Sequence, residues 1–184
     1  MLEPIFNAHV QQAVFRAALQ AQSFPGRCVA LPASVAQTPV HRALLAALLD
    51  AEVSLADPQN LLSTEADWPF LEARPMDAEH ADFILLGGEK VHSIKPRIGT
   101  LEEPEKSASL VLIVGHIGAN DGLELKLTGP GIQTEQRLHV EGLAREWLSL
   151  LQNWNTAFPM GVDIFLAGSN GLVALPRTTQ IEVI

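Results

Sequence analysis

Three consecutive polar residues, Arg177, Thr178 and Thr179, follow the last apolar strand pattern of the chain and are the best candidates for binding chemistry. A guanidinium just past a strand end, beside two hydroxyl groups, can hold a phosphate, a phosphonate or a carboxylate through paired hydrogen bonds. The alternative is structural. Asp163 lies inside an apolar segment, and a buried carboxylate requires a partner that Arg177 can supply. Both alternatives stay open, and Thr178 and Thr179 can equally satisfy backbone groups at the strand end.

A glycine-rich turn is the second candidate. Thr128 ends an alternating apolar and polar segment, and Gly129-Pro130-Gly131 follows it. The pattern predicts a turn rather than a phosphate cradle, because proline removes a backbone donor that a phosphate requires. We place Thr128, Gly129 and Gly131 with Arg177 and Asp163 in one candidate site for a ligand or a partner.

The motifs of self-sufficient catalytic sites are absent from the sequence. It contains no G-x-x-x-x-G-K-[ST] loop, no G-x-S-x-G and no H-E-x-x-H, and its six histidines are never spaced as a metal pair. Cys28 is the only cysteine and reads as a small buried hydrophobe. We therefore predict no metal site and leave the catalytic residues unassigned.

Composition limits the class of protein. A chain of 184 residues with 47% apolar and 18% charged residues predicts one globular domain, 1–184. The net charge of −9, with lysines and arginines scattered singly, argues against nucleic-acid binding. No apolar run is long enough to span a membrane, the N-terminal residues do not resemble a signal peptide, and the single cysteine fits the cytoplasm. The mean hydropathy of +0.17 suggests that some apolar surface is covered by a partner.

Hydrophobic periodicity predicts an α/β fold with helices on both sides of one mixed sheet of about six or seven strands. Val10, Val14, Ala17, Ala18 and Ala21 form the apolar stripe of the first helix, widened by Phe15 and Leu19. The predicted helices cover 8–22, 40–49 and 144–155. The predicted strands cover 28–31, 53–56, 82–86, 109–114, 123–128 and 132–138, with a turn at 119–122 and a hairpin at 162–175. The strand at 109–114 is the most apolar and is expected near the centre of the sheet.

Three segments near the end of the chain carry a family resemblance. They read L-T-G-P-G-I at 127–132, F-P-M-G-V-D at 158–163 and L-P-R-T-T-Q-I-E-V at 175–183. A further match is S-F-P-G-R-C-V-A-L at 23–31. Together they resemble the H subunit of the bacterial carbon–phosphorus lyase system, the PhnH family.

The resemblance implies a fold and a role. The fold would be a three-layer α/β/α arrangement, similar to the large domain of transferases that depend on pyridoxal phosphate (PLP), with the cofactor lost. The chain would be a homodimer when isolated and would join the G, I and J subunits in a core complex. That complex transfers the ribosyl triphosphate of ATP to a phosphonate in organic phosphonate catabolism. The chain would then be a subunit of alpha-D-ribose 1-methylphosphonate 5-triphosphate synthase that supports the transfer without catalysing it alone.

A second hypothesis is a free-standing dimeric binding protein or enzyme for a small phosphorylated or phosphonate ligand, such as a nucleotide. Its site would lie around Arg177, Asp163 and the Gly129 turn, and a phosphonate or nucleotide bound in a concave pocket at a dimer interface would favour this hypothesis. A flat, dry, apolar surface around Arg177 would favour the assembly role.

Overall fold

The computed structural model describes residues 3–118 and 120–184. The α-helices of this part of the chain are α1 (Ala8–Ser23), α2 (Val40–Leu48), α3 (Trp68–Leu71) and α4 (Glu146–Trp154). Short 3-10 helices cover Pro4–Phe6, Ala33–Val35 and Pro104–Lys106.

The strands form two sheets rather than one. The first sheet contains β1 (Ser54–Ala56), β2 (Arg74–Pro75), β3 (Phe83–Gly87), β4 (Ser109–Ile113), β8 (Asp163–Gly168) and β9 (Gly171–Leu175). The second contains β5 (Ile117–Gly118), β6 (Leu123–Thr128), β7 (Gln136–Val140) and β10 (Gln180–Val183).

The first sheet has the strand order β2-β1-β3-β4-β8-β9 and is parallel except for β9. The predicted central position of β4 is confirmed, because β3 and β8 flank it in parallel. A strand covered on both faces needs apolar residues at successive positions, and Leu110, Val111 and Leu112 are all fully buried. The predicted hairpin is confirmed as β8 and β9.

Helices α1 and α2 pack on one face of this sheet. Helix α1 begins where predicted, because the Asn7 side chain accepts a hydrogen bond from the His9 backbone N–H at 3.0 Å. The buried stripe is confirmed at Val14, Ala17, Ala18 and Ala21, and Val10 packs against it half-buried. The predicted widening of this stripe by Phe15 and Leu19 is wrong. Phe15 and Leu19 are 43% and 51% exposed, because each follows a stripe position by one residue and is turned about 100° away from it.

The other face of the first sheet is covered by the second sheet together with α4. The expectation of one sheet is therefore wrong, because a second sheet covers this face beside α4, whereas the helix on this side and the α/β class with a mixed sheet are confirmed. Strand β6 buries Leu125 and Leu127 and turns Lys126 outward. The apolar face of an amphipathic strand can cover a core in the same way as the apolar side of a helix. The likeness to PLP-dependent transferases stays a prediction.

Several element boundaries differ from the prediction. The strand predicted at 28–31 is reduced to one bridge between Val29 and Leu172. The strand predicted at 132–138 begins later, at Gln136. The strands β2, β5 and β10 were missed, and the turn predicted at 119–122 includes Ala119, which lies outside the described residues.

Side-chain hydrogen bonds link the two sheets. The Asn170 amide in the β8–β9 turn donates to the carbonyl of Ile117 at 2.7 Å and accepts from its N–H at 2.9 Å. These bonds attach β5 to the hairpin turn. Across the described residues, no helix has both the length and the apolar composition needed to cross a bilayer.

The central strand gives a direct test of this core. We expect Leu112→Ala in β4 to lower the free energy of unfolding by about 2–5 kcal/mol, because the truncated side chain leaves a cavity between the layers. Leu112 is fully buried, whereas Leu101 is 70% exposed, so Leu101→Ala is the matched control and should change stability by less than about 0.5 kcal/mol. Urea denaturation followed by circular dichroism measures both. Equal losses in the two variants would contradict the assigned core.

Candidate functional site

Arg177 lies at the edge of the first sheet where the parallel strands begin. Strand β9 runs antiparallel to β8, so its last residue, Leu175, pairs with Ile164 near the start of β8. This places Arg177 beside Asp163. The Arg177 backbone N–H donates to Asp163 Oδ1 at 2.8 Å, and its Nη2 lies 2.5 Å from Asp163 Oδ2. The structural alternative for Arg177 is therefore observed as an ion pair.

The rest of the guanidinium binds two loops. Nη1 donates to the carbonyl oxygens of Pro104 and Pro159 at 3.0 and 3.1 Å, and Nη2 donates to Ser107 Oγ at 2.5 Å. Nε donates to the Asp163 carboxylate at 3.2 Å. We call this group of contacts the Arg177 clasp. Every N–H of the guanidinium is engaged, so an anion would have to displace an existing contact, and a ligand role for Arg177 stays a prediction.

The structure brings most of the other predicted residues close to the clasp. Thr178 and Thr179 follow Arg177, and Thr128 pairs with Gln180 across β6 and β10. Gly129 has a positive φ of +133°, and a side chain there would approach the Thr178 carbonyl oxygen within 2.8 Å. The turn therefore packs on the backbone of the threonine pair. Its role as a turn is confirmed, whereas its role in binding stays a prediction.

Gly131 lies apart from this group. A side chain at Gly131 would meet the carbonyl oxygen of Ser23 and the ring of Pro25, at 2.6 and 2.7 Å. The glycine thus serves the close approach of the turn to the end of α1. Its backbone φ of +83° also favours glycine.

Thr179 is the unusual polar group of this edge. Its backbone N–H donates to the Pro176 carbonyl at 2.8 Å, but its buried Oγ1 has no hydrogen-bond partner among the described residues. Arg177 and Thr179 line a small cavity of about 250 Å³, together with residues from the end of α4 and the start of β10. The unsatisfied hydroxyl, rather than the guanidinium, is the group in this cluster with spare hydrogen-bonding capacity.

A larger cleft lies at the opposite edge of the first sheet, where the parallel strands end. It has two lobes of about 380 and 430 Å³ that share Ile113 and Val114 at the end of β4. The first lobe is lined by parts of segments 30–41 and 167–171, and the second by Gln59, Leu61 and parts of segments 87–90 and 113–115. We call it the carboxyl-edge cleft. In open α/β sheets, ligands bind outside the carboxyl ends of the strands.

The polar groups of this cleft come from residues that sequence reasoning did not select. His41, in the first turn of α2, lines one lobe, and Glu89 and Lys90 line the other. Gln59 accepts from the Gly87 N–H at 2.7 Å, and its amide nitrogen lies 2.7 Å from His92 Nε2. The available signal was Gly87-Gly88 at the end of a predicted strand, the position of ligand-binding loops in such sheets.

His41 is half-buried in its lobe of the carboxyl-edge cleft. Burial lowers the pKa of its imidazole below the usual value, and the nearby Asp67 carboxylate opposes this shift without reversing it. A neutral imidazole both donates and accepts a hydrogen bond, so His41 is suited to orient a ligand in the cleft. No cluster of three or more histidine, cysteine or acidic residues capable of holding a metal occurs within 3–118 and 120–184.

Comparison with known proteins identifies the class of protein. Residues 5–182 match the family model described as "Bacterial phosphonate metabolism protein (PhnH)", and the chain belongs to this family. It is 40% identical over 179 residues to the putative C-P lyase subunit protein HtxG of Stutzerimonas stutzeri, covering 97% of this chain and 89% of that protein. It is also 34% identical over 85 residues to the alpha-D-ribose 1-methylphosphonate 5-triphosphate synthase subunit PhnH of Rhizobium meliloti (strain 1021), covering 46% of this chain and 42% of that protein. The resemblance drawn from the three motifs is confirmed.

The Arg177 clasp predicts a stability effect. We expect Arg177→Ala to lower the free energy of unfolding by about 3 kcal/mol, because it leaves the partly buried Asp163 carboxylate without its cation. Removing Asp163 in the same chain should recover part of this loss, since the two side chains interact directly. Denaturant unfolding of the single and double variants measures the coupling. Arg16→Ala, on the exposed side of α1, is the control and should stay within about 0.5 kcal/mol of the parent. Strictly additive losses would contradict the ion pair.

The partial burial of His41 predicts a pH effect. Because the folded imidazole remains neutral to a lower pH than the unfolded one, the unfolded chain binds the additional proton, and stability falls as the pH drops below about 6.5. We expect His41→Gln to reduce this loss between pH 7 and the folded pKa. Free energies of unfolding at pH 7.0 and 5.5 test the point. Identical pH dependence in parent and variant would show that His41 does not contribute.

Proposed function

We propose that this protein is a subunit of a carbon–phosphorus lyase assembly in organic phosphonate catabolism. The observation that carries the proposal is the family match over residues 5–182, together with the nearly full-length similarity to a putative C-P lyase subunit. The motifs behind the match also meet in space. Residues of F-P-M-G-V-D and L-P-R-T-T form the Arg177 clasp through Asp163, Pro159 and Arg177.

Within that assembly, we assign the chain a supporting role in the transfer of the ribosyl triphosphate of ATP to a phosphonate, together with the G, I and J subunits. The Arg177 clasp uses its cation to hold protein groups. The carboxyl-edge cleft contributes hydrogen-bonding groups, among them His41 and Gln59. Groups of this kind position a substrate or a neighbouring subunit, while the reacting groups come from elsewhere in the assembly.

We further propose that the isolated chain is a homodimer in the cytoplasm. Exposed apolar side chains on α1, Phe15 and Leu19, support association, since such residues in water favour contact with another surface. The free Cys28 thiol fits a reducing compartment.

The carboxyl-edge cleft supports a second candidate function, a free-standing protein that binds a small phosphorylated or phosphonate ligand. The first turn of α2 lines one lobe, and no side chain caps the backbone N–H groups at this helix end. Such groups favour an anion. Titration of the purified chain with ATP and with methylphosphonate, followed by calorimetry, measures this function separately.

Reconstitution tests the assembly role. We expect this chain, co-expressed with the G, I and J subunits and purified through its own tag, to retain the other three and to release adenine from ATP in the presence of methylphosphonate. The control is the same preparation of G, I and J without the chain, which should release little adenine. If the chain purifies alone, and the other three subunits release adenine equally well without it, the proposed function is wrong.

A further inference from the structure

Leu101 and Phe158 are the most exposed large apolar side chains in the described part of the protein, at 70% and 68%. They lie on two loops, 98–107 and 157–161, which we call the docking loops. The loops adjoin, because the Gly161 N–H donates to the Ile98 carbonyl at 2.8 Å. Large apolar groups that share an exposed surface mark an interaction site.

Arg177 joins the docking loops directly. Its Nη1 donates to a carbonyl of each loop, Pro104 in the first and Pro159 in the second. Pro159 is the residue after Phe158, and Pro104 lies three residues after Leu101. The clasp therefore ties the backbones of the two docking loops to each other beside the exposed side chains.

Each docking loop is also braced internally. In the first, Ile98 pairs with Ser107, and Thr100 Oγ1 accepts from the Glu103 N–H at 3.0 Å. In the second, the Met160 N–H donates to the Ala157 carbonyl at 3.0 Å, and the Asn155 side chain closes the base of the loop by accepting from the Val162 N–H at 2.7 Å. Loops held in this way lose little conformational freedom on binding, which favours affinity.

The surface around Leu101 is acidic. Glu102, Glu103 and Glu105 are exposed on the first docking loop, and Lys106 pairs with Glu103 at 2.5 Å. Three acids and one base leave a net charge of −2 on this short segment. A basic border on the partner would complement it, whereas an acidic surface would be repelled.

We propose that the docking loops bind another subunit of the assembly, at an apolar pocket bordered by lysine or arginine side chains. This inference rests on the proposed function and adds the surface and the chemistry of the partner. Phe158 and Leu101 are the anchors that enter the pocket, and the glutamates meet its border. A second copy of this chain is a poorer occupant, because a two-fold contact through the same surface would bring the acidic segments together.

The test measures binding of purified variants of this chain to the complex of the G, I and J subunits. Phe158→Ala and Leu101→Ala are each expected to weaken binding about tenfold or more, because buried anchors dominate interface energies. Phe70→Ala and Met76→Ala truncate exposed apolar side chains outside the docking loops and outside α1, and they should bind within about twofold of the parent. Thermal unfolding confirms that each variant is folded.

A charge reversal tests the border. Glu102→Lys should weaken binding more at low salt than at high salt, since screening reduces the repulsion between like charges. Glu65→Lys is the control, because Glu65 is also exposed but lies outside the docking loops. The Glu65→Lys variant should bind the other subunits as tightly as the parent at both salt concentrations.

The outcomes separate this inference from the proposed function. If the parent chain does not bind the other subunits, the proposed function fails, and the inference fails with it. If the parent binds and the docking-loop variants bind equally well, the inference alone is wrong. It is also wrong if the Phe70 and Met76 variants lose binding instead, or if Phe158→Ala dissociates a homodimer and leaves the assembly intact.

Discussion

The ion pair between Arg177 and Asp163 organises one whole edge of this protein. Both charges are partly buried, and such a pair stabilises a fold only when further hydrogen bonds satisfy its remaining donors. Ser107 and the carbonyls of Pro104 and Pro159 supply those bonds. One side chain therefore connects the start of β8, the end of β9 and two surface loops. The backbones of the loops that carry Leu101 and Phe158 are held together by it.

The two edges of the first sheet differ in their chemistry. At the edge where the strands begin, polar groups are largely consumed by contacts within the chain, and apolar side chains face the solvent. At the edge where they end, segments from several parts of the chain surround an open cleft with partly buried polar groups such as His41 and Gln59. A protein surface suits the first edge, and a small molecule suits the second. The two proposed roles therefore occupy separate parts of one sheet.

Local patterns predicted the elements better than they predicted how the elements pack. The hairpin β8–β9, the central strand β4 and helix α1 follow from turn residues and periodicity, because these signals act over short stretches. The apolar surroundings of Asp163 indicated that its carboxylate needs a partner, and this pairing was one of the two roles left open for Arg177. The carbonyl of Pro104 was not predicted as a partner of Arg177, because the two residues lie 73 positions apart along the chain. The second sheet was missed because an amphipathic strand does not specify which surface its apolar face covers. The carboxyl-edge cleft was missed because its walls are far apart in the sequence and meet only in the folded chain.

The pairing of β6 with β10 has a consequence while the chain is being synthesised. Glu182 of β10 contacts Lys126 of β6 at 3.0 Å, although 56 residues separate them. During translation, β6 emerges long before its neighbour, and one side of it presents unpaired backbone groups for that time. Strand edges of this kind attract other chains, and contacts distant in sequence form slowly. The second sheet therefore presents the open edge of β6 on a growing chain until β10 is made and pairs with it.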